Sequence, residues 1–147
     1  MSTEHGKCVL IVEDTLIMAD VLKRSLSRAG LNPTVARNGV EACALVEKQK
    51  FDAVVTDFQM PRMNGDEFVR KLRLTALNYD VPVIFVSAKG LEIDTEQMRM
   101  ELGIRDFLFK PFSPSELIKV IYHWLDRDEN GECLAEQSAV TLVAPAM

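Results

Sequence analysis

Residues 8–14 read Cys8-Val9-Leu10-Ile11-Val12-Glu13-Asp14, a continuous apolar run that stops abruptly at two acids. A short run with no polar alternation suits a strand buried on both faces, the kind that parallel sheets use. The same texture returns in Ala53-Val54-Val55-Thr56 and Val83-Ile84-Phe85-Val86, more briefly in Phe107-Leu108-Phe109, and weakly in Thr34-Val35-Ala36. Between these runs the spacing turns helical. A first helix over 15–29 aligns Met18, Leu22, Leu26 and Ala29 and closes at Gly30. A second starts near Asn38-Gly39 and carries Val40, Ala44 and Leu45, and a third starts near Asn64-Gly65 with Phe68, Leu72 and Ala76 in line. A fourth, over 94–102, rests on Met98 and Leu102 alone. The fifth opens on Ser113-Pro114-Ser115-Glu116, which combines an N-cap serine, a proline at the first helical position and a glutamate at N3. Leu117, Ile121, Trp124 and Leu125 form its apolar stripe.

Five strand–helix pairs in strict alternation predict an α/β fold, a doubly wound parallel sheet with helices on both faces. Right-handed crossovers restrict the topology, and five strands suit the flavodoxin-like order 2-1-3-4-5.

Composition agrees with an ordinary globular chain. The 147 residues are 48% apolar and 27% charged, the size of one domain. A net charge of −5 argues against a protein whose main task is gripping nucleic-acid phosphates. Three cysteines (Cys8, Cys43, Cys133), widely spaced and without a C-x-x-C pair, suggest neither a disulfide frame nor a zinc site and fit a reducing, cytoplasmic setting. No signal peptide is expected at the N-terminus, and no run is long enough for a membrane span. The expected division is a short extension over 1–6, a body over 7–125 and a tail over 126–147. The tail holds five acids and one base, with a turn signal at Asn130-Gly131. It then becomes mildly apolar (Val140, Leu142, Val143), which suits a linker or an end that docks on the body or on a second subunit.

In a doubly wound sheet, ligands sit beyond the carboxyl ends of the strands. The first strand ends in Glu13-Asp14, the third in Asp57, the fourth in Ser87 and the fifth in Lys110-Pro111. A single polar residue at a strand end is ordinary, most often a cap or turn residue. Three acids, a hydroxyl and an ammonium on one rim form a chemistry. Carboxylates ~5 Å apart at an effective dielectric near 20 repel by roughly 3 kcal/mol per pair. Either one stays protonated or a divalent cation sits among them. All-oxygen ligands favour a hard ion, and Mg²⁺ commonly shares its sphere between a few carboxylates, water and a phosphate. Lys110 would then act as a point charge for phosphoryl oxygens, and an aspartate as a nucleophile. His5 and His123 read as surface residues, and Asp52, at the opposite rim, as structural. No G-x-x-x-x-G-K-[ST] or G-x-G-x-x-G loop is present.

Over residues 7–125 the chain resembles the receiver domain of two-component response regulators. The matching pieces are Val9-Leu10-Ile11-Val12-Glu13-Asp14, Asp57-Phe58-Gln59-Met60-Pro61-Arg62-Met63-Asn64-Gly65, Val86-Ser87-Ala88 and Phe107-Leu108-Phe109-Lys110-Pro111-Phe112, in order and at the expected separations. The resemblance implies that Asp57 is the phosphoacceptor. Glu13, Asp14, Asp57 and the backbone carbonyl of Gln59 would hold Mg²⁺. Ser87 and Lys110 would bind the phosphoryl group, across a Lys110–Pro111 bond that is typically cis. Ser87 and Phe107 would act as the switch, and Gln59 and Lys89 would tune the lifetime of the phosphoryl group. The donor would be a sensor histidine kinase or a histidine phosphotransfer protein. The output would be a reshaped surface of helix four, strand five and helix five, offered to a further protein. Two features depart from the family pattern: the bulkier Leu102-Gly103-Ile104 before the fifth strand, and a weak dimer pattern, with Asp106 but Lys119 in place of an arginine set.

Two rivals follow from the same residues. A Mg²⁺-dependent phosphatase with an aspartyl nucleophile normally wants a second acid two residues on, where this chain has Gln59. A receiver fragment of a longer DNA-binding regulator is the other. In either case this chain alone is expected neither to bind nucleic acid nor to insert into a membrane.

Overall fold

The computed structural model describes residues 6–88 and 94–130, the last five of these by their backbone alone. Ten elements alternate: β1 (Cys8–Val12), α1 (Leu16–Arg28), β2 (Asn32–Ala36), α2 (Gly39–Lys48), β3 (Ala53–Asp57), α3 (Gly65–Leu72), β4 (Val83–Ala88), α4 (Thr95–Leu102), β5 (Ile104–Lys110) and α5 (Pro114–Asn130). The strands form one parallel sheet in the order β2-β1-β3-β4-β5. This is the doubly wound arrangement expected from the alternation.

Strand side chains alternate between two cores. Leu10, Val12, Val54, Val83 and Phe85 pack toward Phe68 and Leu72 of α3, Ala42 and Val46 of α2 and Leu102 of α4. Val9, Ile11, Ala53, Val55, Ile84 and Val86 pack toward Leu22 and Leu26 of α1 and Leu117, Ile121 and Leu125 of α5. Burial on both faces is why the central strands carry no polar alternation.

The helix starts are chemically marked. The Asn38 carboxamide oxygen accepts from the Glu41 N–H at 2.8 Å, and Asp94 accepts from Gln97 at 3.0 Å. At α5, Ser113 and Glu116 exchange bonds of 3.2 and 2.9 Å, a capping box as the four-residue signal predicted. Gly103 closes α4 in the left-handed region (φ 70°), where a side chain would be strained.

Several local expectations give way to tertiary geometry. The stripe of α2 is Gly39, Ala42 and Val46, rotated from the expected Val40, Ala44 and Leu45, and Val40 is 51% exposed. Helix α3 ends at Leu72, so Ala76 lies beyond it and exposed. Met18 and Ala29 are only half-buried, and Ala19 completes the α1 stripe. Trp124 is half-buried as well; its indole N–H donates to Asp106 at 3.2 Å. Strand β5 reaches back to Ile104 through Arg105 and Asp106, and the register slips where Ile84 pairs with Asp106. Helix α5 continues five residues past the expected edge of the body, to Asn130. The rest of the expected tail, 131–147, and most of the N-terminal extension, 1–5, lie outside the described residues.

The rim away from the acids is held by polar side chains. Asp52 accepts from the Cys8 N–H at 2.8 Å, which ties β3 to the start of β1. Arg73 donates to the carbonyls of Leu102 (2.9 Å) and Val81 (2.6 Å). Asn78 is fully buried; its oxygen accepts from the Phe51 N–H, and its amide donates to the carbonyls of Val46 and Gln49, all within 2.8 Å. Asn78→Ala strands three backbone groups, two of them in buried bonds, and is expected to cost about 3 kcal/mol. The check is a lower urea midpoint at an unchanged denaturant slope.

Candidate functional site

The upper rim of the sheet gathers its charge from three strands. Glu13 and Asp14 follow β1, Asp57 ends β3 and Lys110 ends β5. Glu13 is fixed twice: its N–H donates to the Ala36 carbonyl at 3.0 Å, and its Oε2 accepts from the Thr15 N–H at 3.1 Å. Glu13 and Asp57 are buried, 3% and 5% exposed, while Asp14 faces solvent. One oxygen from each of the three carboxylates lies within 4.8 Å of the others. Lys110 Nζ stands 3.3 Å from Asp57 Oδ1 and 3.7 Å from Glu13 Oε1.

The loop after β3 is built to leave Asp57 room. The Phe58 N–H donates to Val86 at 2.9 Å, and the Gly65 N–H returns to the Phe58 carbonyl at 2.7 Å. A Cβ on Gly65 would lie 2.5 Å from the Asp57 carbonyl oxygen, so only glycine lets α3 start this close behind the acid. Within the same loop Arg62 adopts a left-handed φ of 74°. Gln59 lies in this loop with an exposed side chain. Ser87 is buried one residue beyond Val86, the register partner of Asp57, and its hydroxyl donates to the Ala88 carbonyl at 3.3 Å. The Lys110–Pro111 bond is cis. Phe107 is half-buried on β5, lower on the sheet than the acids. Lys89 lies outside the described residues. The structure thus brings together Glu13, Asp14, Asp57 and Lys110, sets Ser87 next to them, and leaves Phe107 at a distance along the sheet.

Electrostatics at Asp57 are unbalanced. Burial pushes its carboxyl up, the Glu13 carboxylate pushes it further, and Lys110 only partly offsets both, so it stands at about 7. Among the described residues no donor hydrogen-bonds the buried Asp57 Oδ1; the Lys110 ammonium is its counter-charge. A buried carboxylate oxygen left short of donors, among other acids, fits a cation. The donors are all oxygen, the set that suits Mg²⁺. With one oxygen from each acid within 4.8 Å of the others, the three carboxylates lie close enough together to be shared by a single small cation.

The motif letters marked these residues by type, but three supports were not assigned a role from sequence. The Thr15 backbone brace on Glu13 has no side-chain signal. Gly65 marks a helix start and one letter of a motif, but nothing in the sequence shows how closely it backs Asp57. Arg99, whose guanidinium lies 5.1 Å from the centre of the Phe107 ring, sat in the helix with the weakest pattern.

Comparison with known proteins gives one family. The model of the response regulator receiver domain matches residues 9–122. A probable transcriptional regulator, ycf29, of Pyropia yezoensis is 32% identical over 133 residues, covering 90% of this chain and 60% of that protein. The phosphate regulon transcriptional regulatory protein PhoB of Pseudomonas aeruginosa is 34% identical, covering 86% of this chain and 55% of PhoB. The chain therefore spans just over half the length of these curated relatives. Among solved structures, the receiver domain of the sensor histidine kinase PA1611 from Pseudomonas aeruginosa has a magnesium ion coordinated in its active-site cleft. It superposes with a TM-score of 0.73 at 30% identity, covering 82% of this chain and 98% of that one.

Asp57→Asn is expected to raise thermal stability at pH 8 in chelator, by several degrees, because it removes a carboxylate whose ionisation the fold opposes. The sign follows from the raised value. The wild-type contribution is full below the unfolded carboxylate range near 4 and is lost as pH rises through about 7. The advantage of Asn should therefore shrink on going from pH 8 to pH 5, and adding Mg²⁺ at pH 8 should narrow it by stabilising the wild type. Melting curves of both proteins across pH, with and without Mg²⁺, check this.

Proposed function

The chain belongs to the response regulator receiver domain family, and from that premise we propose that it is a phosphorylation-controlled signalling switch with Asp57 as phosphoacceptor. The observation that carries the reading is the buried Asp57 carboxylate facing Lys110 at 3.3 Å beside two further acids. The donor in this reading is a phosphohistidine on a sensor kinase or phosphotransfer protein. An Asp57 oxygen attacks phosphorus, the P–N bond breaks, and the imidazole nitrogen keeps the electron pair. Lys110 holds an equatorial phosphoryl oxygen, and Ser87 turns its hydroxyl from the Ala88 carbonyl to another. Glu13, Asp14, Asp57 and the Gln59 carbonyl are the ligands we assign to Mg²⁺, which when bound supplies counter-charge to the carboxylates and the incoming phosphoryl oxygens. Hydrolysis returns the carboxylate: water attacks phosphorus and the acyl oxygen leaves. Gln59, exposed in the loop that follows Asp57, and Lys89, two residues after Ser87 in the sequence, are assigned the tuning of that step.

The acyl phosphate carries ~1.5–2 negative charges where the site already opposes one. In this reading Ser87 follows the phosphoryl group, Phe107 turns into the space it leaves, and the face of α4, β5 and α5 changes shape for a partner protein. Phe107 has no phenol hydroxyl, so an inward turn buries no unsatisfied donor.

Curated relatives are named as transcriptional regulators, and this chain spans 60% of one and 55% of another. We assign the receiver role to residues 7–125 and no DNA contact to this chain, whose 17 Lys/Arg face 22 Asp/Glu. Among the described residues no helix is long and apolar enough to cross a membrane.

Incubation with a small acyl-phosphate donor and Mg²⁺ is expected to add one phosphoryl mass to the wild type and none to Asp57→Asn, read by mass spectrometry of the intact chain. An adduct retained in the variant would place the acceptor elsewhere. Where a phosphatase carries a second acid two residues after its nucleophile, this chain has the amide of Gln59. Sustained turnover of a small phosphoester is accordingly expected to be absent, and a steady-state phosphate-release assay checks it.

A further inference from the structure

Three aromatic rings run in series through the sheet, from beside the acidic site to α4. Phe58 directly follows Asp57, and its ring meets the edge of Phe85 at 5.5 Å and 74°. Phe85, fully buried on β4, meets Phe107 at 5.9 Å and 68°. Phe85 and Phe107 are register partners, and Ser87 stands two residues beyond Phe85, on the same face of β4 by strand alternation. Edge-to-face contacts of this kind are directional, so each ring constrains the orientation of the next.

The series ends on a cation. The Arg99 guanidinium of α4 lies 5.1 Å from the Phe107 ring centre, and its Nη1 donates to the Arg105 carbonyl at 3.0 Å. That bond ties the last turn of α4 to β5 and fixes the guanidinium where it covers the ring. Phe107 is thus held half-buried between a buried ring and an exposed cation.

We propose that Arg99 is a positioning residue of the switch, a latch that holds Phe107 in its outward, half-buried state through a cation–π contact and so sets how readily Asp57 responds to a phosphoryl group. This deepens the switch reading and rests on it. The physics is a two-state equilibrium. The contact exists while the ring lies under the guanidinium and is lost when the ring turns toward Ser87. Removing it raises the inward-to-outward ratio. An exposed cation–π contact corresponds to a roughly two- to fivefold change in that ratio. When the inward state is the minor one, apparent affinity for a phosphoryl mimic rises by the same factor.

The test uses the full chain with ring-¹³C phenylalanine, the Phe107 resonance assigned from Phe107→Leu. Its population-weighted shift is measured with and without Mg²⁺ and beryllofluoride, and beryllofluoride affinity is titrated in parallel. Arg99→Ala is expected to move the free-state Phe107 shift toward the beryllofluoride-bound position and to tighten beryllofluoride roughly two- to fivefold, the two changes agreeing in size. Arg99→Lys keeps a cation but loses the planar fork, and should fall between Ala and the wild type. A purely structural role would lower the melting temperature without moving shift and affinity together. Wild type that responds while Arg99→Ala behaves identically overturns the latch and leaves the switch standing. Affinity that changes with no change in the free-state shift also overturns the latch. Wild type that takes up neither beryllofluoride nor an acyl phosphate overturns the switch reading and the latch with it.

Discussion

A carboxylate taken out of water needs a partner, and the fold gives Asp57 too little. Lys110 is its counter-charge, yet Glu13 presses from the other side and burial removes solvent, so the acid stands at about 7. Everything around it accepts that imbalance. β1 pairs with β3, and β3 reaches β5 through β4, in one sheet, so the charged groups cannot drift apart without breaking strand pairing. Gly65 lets α3 begin directly behind the acid, and Thr15 fixes Glu13 from its backbone. The result is a preorganised deficit of positive charge, which is a sound starting point for binding a cation and then an anion.

The opposite rim is built on the contrary principle. Asp52 is bonded to the Cys8 N–H, Arg73 to carbonyls at the end of α4 and in the loop before β4, and the fully buried Asn78 to three backbone groups. Polar groups there satisfy one another and lock connections. Those at the acidic rim are left short. Since an unsatisfied buried group destabilises a fold by a few kcal/mol, one rim carries stability and the other carries reactivity.

The central strands and the acids at their ends were legible because each signal is local and redundant. Val9–Val12 and Val83–Val86 are buried on both faces, and such strands announce themselves by composition. β2 was faint because it is the sheet edge, with Pro33 and only Ala36 buried. The α2 stripe was misplaced because a short helix rich in Ala and Val fits more than one phase, and packing of Met63 against Gly39 selects the one observed. β5 is longer than its apolar run because Arg105 and Asp106 interrupt that run; half-buried, their side chains meet Trp124 on α5. In the site, Glu13, Asp14, Asp57 and Lys110 could be paired from strand ends alone. The backbone brace from Thr15 and the stacking of Arg99 could not, since neither leaves a pattern in a single sequence.

The switch proposed for this receiver must also be undecided at rest, and magnitudes favour a small moving part. Unfolding is opposed by two cores and a five-stranded sheet, far more than one phosphoryl group could reverse. A single ring at the edge of a core is different. Phe107 is held by contacts worth about 1 kcal/mol each, a ring edge and an exposed cation. Charge added at Asp57 acts on a buried, low-dielectric site where it counts for several times that. In the proposed switch the weak element moves and the strong scaffold transmits, and the place where they meet is β5, which carries both Lys110 and Phe107 on one strand.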